Sequence, residues 1–130
     1  MIVVDASAMI EVLLITSAGL RLEKRVFADG MSLHAPQLLD LEIAQVLRRF
    51  TAAGCLTGER ARQALDDLTV LGIQRWPHEP LLPRVWQLRG NLSAYDAAYV
   101  ALAEALDAPL LTGDRRVAAA PGHGATIELF

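Results

Sequence analysis

Short β-branched runs alternate with longer helical stretches from one end of the chain to the other, and this ordering restricts the fold more than any other feature. Ile2-Val3-Val4 ends at Asp5 and an apolar stretch from Ala6 to Ile15 follows at once, which predicts a strand-to-helix junction at Asp5. A second helix is expected over Leu20 to Asp29, then a weak strand at Leu33-His34 closed by Pro36. A third helix, Gln37 to Ala53, should end at Gly54, whose missing Cβ suits a left-handed C-terminal cap. Thr57 is positioned to cap a fourth helix running to Leu71, and Ile73 to Trp76 reads as a strand stopped by Pro77. Helices over Leu81 to Leu88 and Tyr95 to Leu106 come next, with strands at Leu110 to Thr112 and Thr126 to Leu129. Parallel neighbours need crossover connections, so the alternation implies an α/β fold with a mostly parallel sheet of about four to five short strands and helices on both faces.

With 130 residues and no repeat or Pro/Gly-rich linker, one domain over residues 1–130 is expected. Hydrophobic residues make up 53% of the chain and charged residues 21%, enough to build a core and too little charge for disorder. The single cysteine, Cys55, excludes an intramolecular disulfide or a thiolate metal cluster and fits a reducing, cytoplasmic setting. The apolar run from Met9 to Ile15 is short and interrupted by Glu11, so neither an export signal nor a membrane span is expected.

In open parallel sheets, ligands bind outside the carboxyl ends of the strands, and Asp5 and Asp114 both follow strand ends. Two more acids can reach that edge from helices. Glu42 lies just off the apolar stripe of Leu39, Ile43, Val46, Leu47 and Phe50, in line with Arg49, and Asp96 falls in the first turn of its helix. Taken singly, Asp5 and Asp114 read as helix caps, and Ser93 to Asp96 fits a capping box. Glu42 caps nothing, and pairing with Gln45 or Arg49 is a weak reason for an acid there. Capping accounts for each acid alone but not for their convergence.

The net charge is −3, from 15 acidic and 12 basic residues. Setting the four acids aside leaves 11 against 12, which concentrates the negative charge in one cleft. Eleven of the cations are Arg, and the pairs Arg48-Arg49 and Arg115-Arg116 are candidates for phosphate or carboxylate contacts at the cleft.

Val3-Val4-Asp5-Ala6-Ser7, Glu42, the run Tyr95-Asp96-Ala97-Ala98-Tyr99-Val100-Ala101-Leu102-Ala103, and Leu110-Leu111-Thr112-Gly113-Asp114-Arg115-Arg116 together resemble the PIN-domain ribonucleases. The resemblance covers essentially the whole chain and is closest to the VapC-type toxins of toxin–antitoxin pairs. It implies a Mg²⁺- or Mn²⁺-dependent endoribonuclease, often a homodimer, held inactive by a VapB-type antitoxin. On that pattern Asp5 and Asp96 hold the metal, Glu42 and Asp114 join directly or through water, and Ser7 and Thr112 orient water or carboxylate oxygens. Some relatives carry a further acid after the last motif, where this chain has Arg115, Arg116 and Val117, so one ion is expected.

Other chemistries find less support. His34, His78 and His123 are too scattered for a zinc site and read as surface or loop residues, while Trp76 and Trp86 read as core. No Gly-x-Gly-x-x-Gly or Walker loop is present. A phosphoacceptor receiver module would also gather acids at strand ends, but it needs a lysine nearby and Lys24 sits in an early helix. A catalytically inactive PIN-like interaction domain is disfavoured by the presence of all four acids.

Overall fold

All the expected strand runs join one parallel sheet in the computed structural model, which describes residues 1–130. The strands are β1 (Ile2–Val4), β2 (Leu33–Pro36), β3 (Ile73–Trp76), β4 (Leu110–Thr112) and β5 (Ile127–Leu129). Seven α-helices connect and cover them: α1 (Ala6–Leu13), α2 (Ser17–Val26), α3 (Leu38–Ala52), α4 (Gly58–Val70), α5 (Leu82–Gln87), α6 (Ala94–Leu106) and α7 (Arg115–Ala119). A short 3₁₀ turn, Glu79–Leu81, leads into α5.

Strand order is β3-β2-β1-β4-β5. The chain steps outward from β1 through β2 to β3, then returns across the sheet to pair β4 with the other edge of β1. The order therefore reverses between β1 and β4, and a crevice opens above their carboxyl ends. Helix α1 packs on α2, α3 and α4, whereas α5 packs on α6, which lies against β1, β2 and β4. All three residues of β1 are fully buried, because a central parallel strand is covered on both faces.

Several local outcomes differ from the sequence-based expectations. The second helix runs over Ser17–Val26 instead of Leu20 to Asp29, because the Thr16 hydroxyl accepts the Gly19 N–H and starts it earlier. Pro36 lies inside β2, paired with Trp76, instead of closing the strand. Its missing N–H costs nothing there, since β1 pairs only with Leu33 and His34. Gly54 does adopt a left-handed conformation, with φ of 77°, immediately after the α3 cap residue Ala53.

One aromatic assignment and one histidine assignment are corrected. His34 is buried, not a surface residue: Trp76 Nε1 donates to its Nδ1 at 3.1 Å, and its Nε2 lies 2.9 Å from the Ser32 hydroxyl. Trp76 is partly buried beside it and packs against the core, as expected. Trp86 is 67% exposed on α5 with the Arg89 guanidinium 4.4 Å from its ring centre, an arrangement that suits a solvated face better than a core.

Helices α1 and α2 cross at Gly19, which is buried. A Cβ there would stand 2.0 Å from the Glu11 carbonyl oxygen, so the backbones touch and no side chain fits between them. Gly19→Ala is expected to cost about 3 kcal/mol or more, since the clash is with backbone that cannot rotate away. Urea unfolding checks this, and an unchanged midpoint would show that the two helices are free to separate.

Candidate active site

Asp5 leaves the end of β1 and caps α1, and its carboxylate carries more than the cap. Oδ1 accepts the Ala8 N–H at 3.0 Å and the Ser7 hydroxyl at 2.6 Å, while Oδ2 accepts the hydroxyl of fully buried Thr112. Those hydroxyls are fixed in turn by the β4 end: Ser7 Oγ accepts the Gly113 N–H at 2.9 Å and Thr112 Oγ1 accepts the Asp114 N–H at 3.0 Å. Adjacent strand ends are thereby tied together through one carboxylate. Burial pushes the Asp5 carboxyl above its ordinary value and nearby Asp96 adds to this, against the donors from Ser7, Thr112 and Ala8.

Asp96 sits half-buried in the first turn of α6. Only half of the expected capping box forms: the Asp96 N–H donates to Ser93 Oγ at 3.1 Å, and the carboxylate makes no reciprocal bond to the Ser93 backbone. The carboxylate is left for the cleft. Burial raises its pKa, the Ser93 hydroxyl opposes, and the Asp114 charge raises it further.

Glu42 does not pair with Gln45 or Arg49. Its Oε1 accepts the hydroxyl of Tyr99 at 2.7 Å, a bond between α3 and α6 over the sheet edge, and Oε2 makes no hydrogen bond. Burial raises the Glu42 carboxyl, the Tyr99 bond lowers it, and the charges of Asp5 and Asp96 raise it again. Tyr99 was not among the residues anticipated from sequence, although its place three positions after Asp96 sets both on one face of α6.

Asp114 caps α7 through the Arg116 N–H at 2.9 Å and holds the Arg116 guanidinium at 2.8 Å. That pairing keeps its carboxyl below the ordinary range, whereas burial raises those of the other three. Arg116 is 88% exposed, and the pair does little for stability. The other anticipated arginines diverge. Arg49 joins Glu42, Leu38, Leu41 and Tyr95 along an open groove leading from the acids, whereas Arg48 faces a separate groove between α3 and α4. Arg115 is exposed and makes no ion pair.

The four acids thus share one edge of the sheet, close enough for their charges to act on one another. No three Asp, Glu, His or Cys side chains close into a ready-made metal cage. The donor set consists of carboxylates and hydroxyls without sulfur or imidazole, which suits a hard cation such as Mg²⁺ that binds through one or two carboxylates and keeps several waters. No helix is long and apolar enough to cross a membrane.

Comparison with known proteins identifies the family and the fold. A family model for the PIN domain matches residues 2–122. Ribonuclease VapC1 of Mycobacterium tuberculosis is 47% identical over 128 residues, covering 98% of this chain and 96% of the relative. Ribonuclease VapC12 of the same organism is 39% identical over 129 residues, covering 99% and 98%. Among solved structures, PAE2754 from Pyrobaculum aerophilum superposes with a TM-score of 0.74 at 22% identity, covering 97% of this chain and 81% of that one. VapC20 of Mycobacterium tuberculosis, described as a sarcin-ricin loop cleaving toxin, gives 0.70 at 17% identity, covering 95% and 97%. At these identities the structures speak for the fold, and the sequence relatives for the family. The chain belongs to the PIN-domain family and, within it, to the VapC ribonucleases.

Proposed function

We propose that this chain is a divalent-metal-dependent endoribonuclease, the toxin of a VapBC-type pair, cutting RNA at the crevice between β1 and β4. The observation that carries this reading is the convergence of Asp5, Glu42, Asp96 and Asp114, from four separate segments, at the point where strand order reverses. Asp5 and Asp96 would hold Mg²⁺ or Mn²⁺, with Glu42 and Asp114 joining directly or through water. When bound, the ion supplies Lewis-acid chemistry, acidifying water and offsetting charge that grows on the phosphate. Ser7 and Thr112 keep the Asp5 oxygens in place, so the carboxylate does not reorganise during turnover. Arg49 and Arg115 supply exposed positive charge beside the acids for the RNA backbone, while Arg116 restrains Asp114.

A VapB-type antitoxin is the partner that the family implies, covering the open groove beside Glu42. Self-association would use the apolar surface of α5 and the start of α6, where Leu82, Trp86 and Tyr95 are exposed. The reading is tested by sequencing RNA ends after brief expression of the wild type beside Asp96→Asn. Discrete new ends with the wild type alone are expected, and indistinguishable RNA from the two strains would overturn the assignment.

A further inference from the structure

We propose that Tyr99 is a positioning residue for the nuclease reaction, fixing Glu42 so that one carboxylate oxygen faces the metal-binding crevice. The inference rests on the nuclease reading and adds to it a residue outside the carboxylate set.

Tyr99 is 3% exposed in the middle of α6, surrounded by Ala97, Ala98, Val100 and Ala101, all buried. A buried phenol needs a partner for its hydroxyl, and the structure gives it only Glu42 Oε1, at 2.7 Å. The ring has two rotatable bonds and is locked by its packing, whereas Glu42 has three and sits only half-buried. The rigid partner thus places the flexible one. Because the bond uses Oε1 alone, Oε2 stays without a hydrogen bond, available to an ion or its water.

The placement is otherwise unfavourable for a carboxylate. Glu42 is only half-buried and lies near the like-charged Asp5 and Asp96, so without a donor to hold it the flexible side chain can swing outward to solvent. The Tyr99 hydroxyl is the only donor that Glu42 has, and it holds the carboxylate in place. Tyr99 also stands one turn below Asp96 on the same face of α6, so a single helix sets the direction of two of the four acids.

Tyr99→Phe removes the hydroxyl and keeps the ring, so the packing of α6 is retained. The expected result is a roughly 10- to 100-fold loss in Mn²⁺ affinity, or in kcat at saturating metal, with KM for RNA unchanged. Mn²⁺ affinity is read without turnover, by electron paramagnetic resonance of the free ion. Glu42→Gln provides the second arm: in that background Tyr99→Phe should have no further effect. Wild-type metal affinity and kcat in Tyr99→Phe would overturn the proposal, as would equal losses with and without the Glu42 carboxylate, which would mean a general packing role. A wild type that binds Mn²⁺ but cuts no RNA would refute the nuclease reading alone, with the metal titration still deciding the role of Tyr99.

Discussion

Asp96→Asn is expected to reduce RNA cleavage on the order of 10³-fold or more while leaving the melting temperature within a few degrees of wild type. The two halves of this result come from different parts of the same residue. The cap of α6 is made by the Ser93 hydroxyl and the Asp96 backbone N–H, both of which survive the substitution. The Ser93 hydroxyl, the one side-chain donor that favours the carboxylate, can donate equally to the amide oxygen of asparagine, and the carboxylate's charge is opposed by burial and by Asp114. Losing an acid from the first turn forfeits about 0.3–1 kcal/mol of helix-dipole stabilisation, and relief of like-charge repulsion acts in the other direction. Asp5 is a poorer probe. Asp5→Ala deletes the α1 cap, worth about 1 kcal/mol, and strips the fully buried Thr112 hydroxyl of its acceptor, so lost activity there would be mixed with lost stability. Kinetics and thermal melts on the two variants separate the roles, and robust cleavage by Asp96→Asn would remove it from the reaction.

How far the sequence discloses such a site depends on the reach of each interaction. Asp5 and Asp114 are legible because they stand one and two positions beyond the ends of β1 and β4, and residues just past a parallel strand lie at the ligand-binding edge. Asp96 is legible through its cap, and Glu42 through the lack of any local reason for an acid at that point of α3. Long-range partnerships are not legible. The Tyr99 bond to Glu42 spans 57 residues, and the Thr112 bond to Asp5 spans 107, so no periodicity or spacing rule connects either pair, and the role of Thr112 is legible only through the family resemblance. His34 and Trp86 fail for a related reason: whether an aromatic or imidazole ring is covered depends on which element packs over it. His34 has Trp76 from the neighbouring strand, and Trp86 has only Arg89 from its own turn. The arginines show the same limit. Arg25, Arg75 and Arg84 clamp Glu128, Asp40 and Glu104 as ties between distant segments, and their sequence neighbourhoods give no hint of it.

Removal of divalent metal is expected to abolish cleavage, and its return should stabilise the fold by an amount that grows with pH. Burial raises the carboxyl pKa values of Asp5, Glu42 and Asp96 in the folded protein above their unfolded values. For groups shifted in that direction, the folded state gains stability when protonated, and loses it as pH rises from the unfolded pKa values, 3.8 for Asp and 4.5 for Glu, through the raised folded ones. The cost of crowding three carboxylates in the metal-free protein therefore grows as pH rises. An ion that binds only the folded state offsets it by about 2.7 kcal/mol at a concentration 100 times its Kd, or roughly 10 °C in melting temperature for a domain of this size. At pH 5 protons compete for the same oxygens and the shift should shrink. Asp114 does not share this behaviour, because Arg116 keeps it ionised across the range. Thermal melts with Mn²⁺ or EDTA at pH 5 and pH 7.5, repeated on an Asp5→Asn, Asp96→Asn double variant, test the shared site directly. The double variant should lose the metal response, and an undiminished response would place the ion away from these acids.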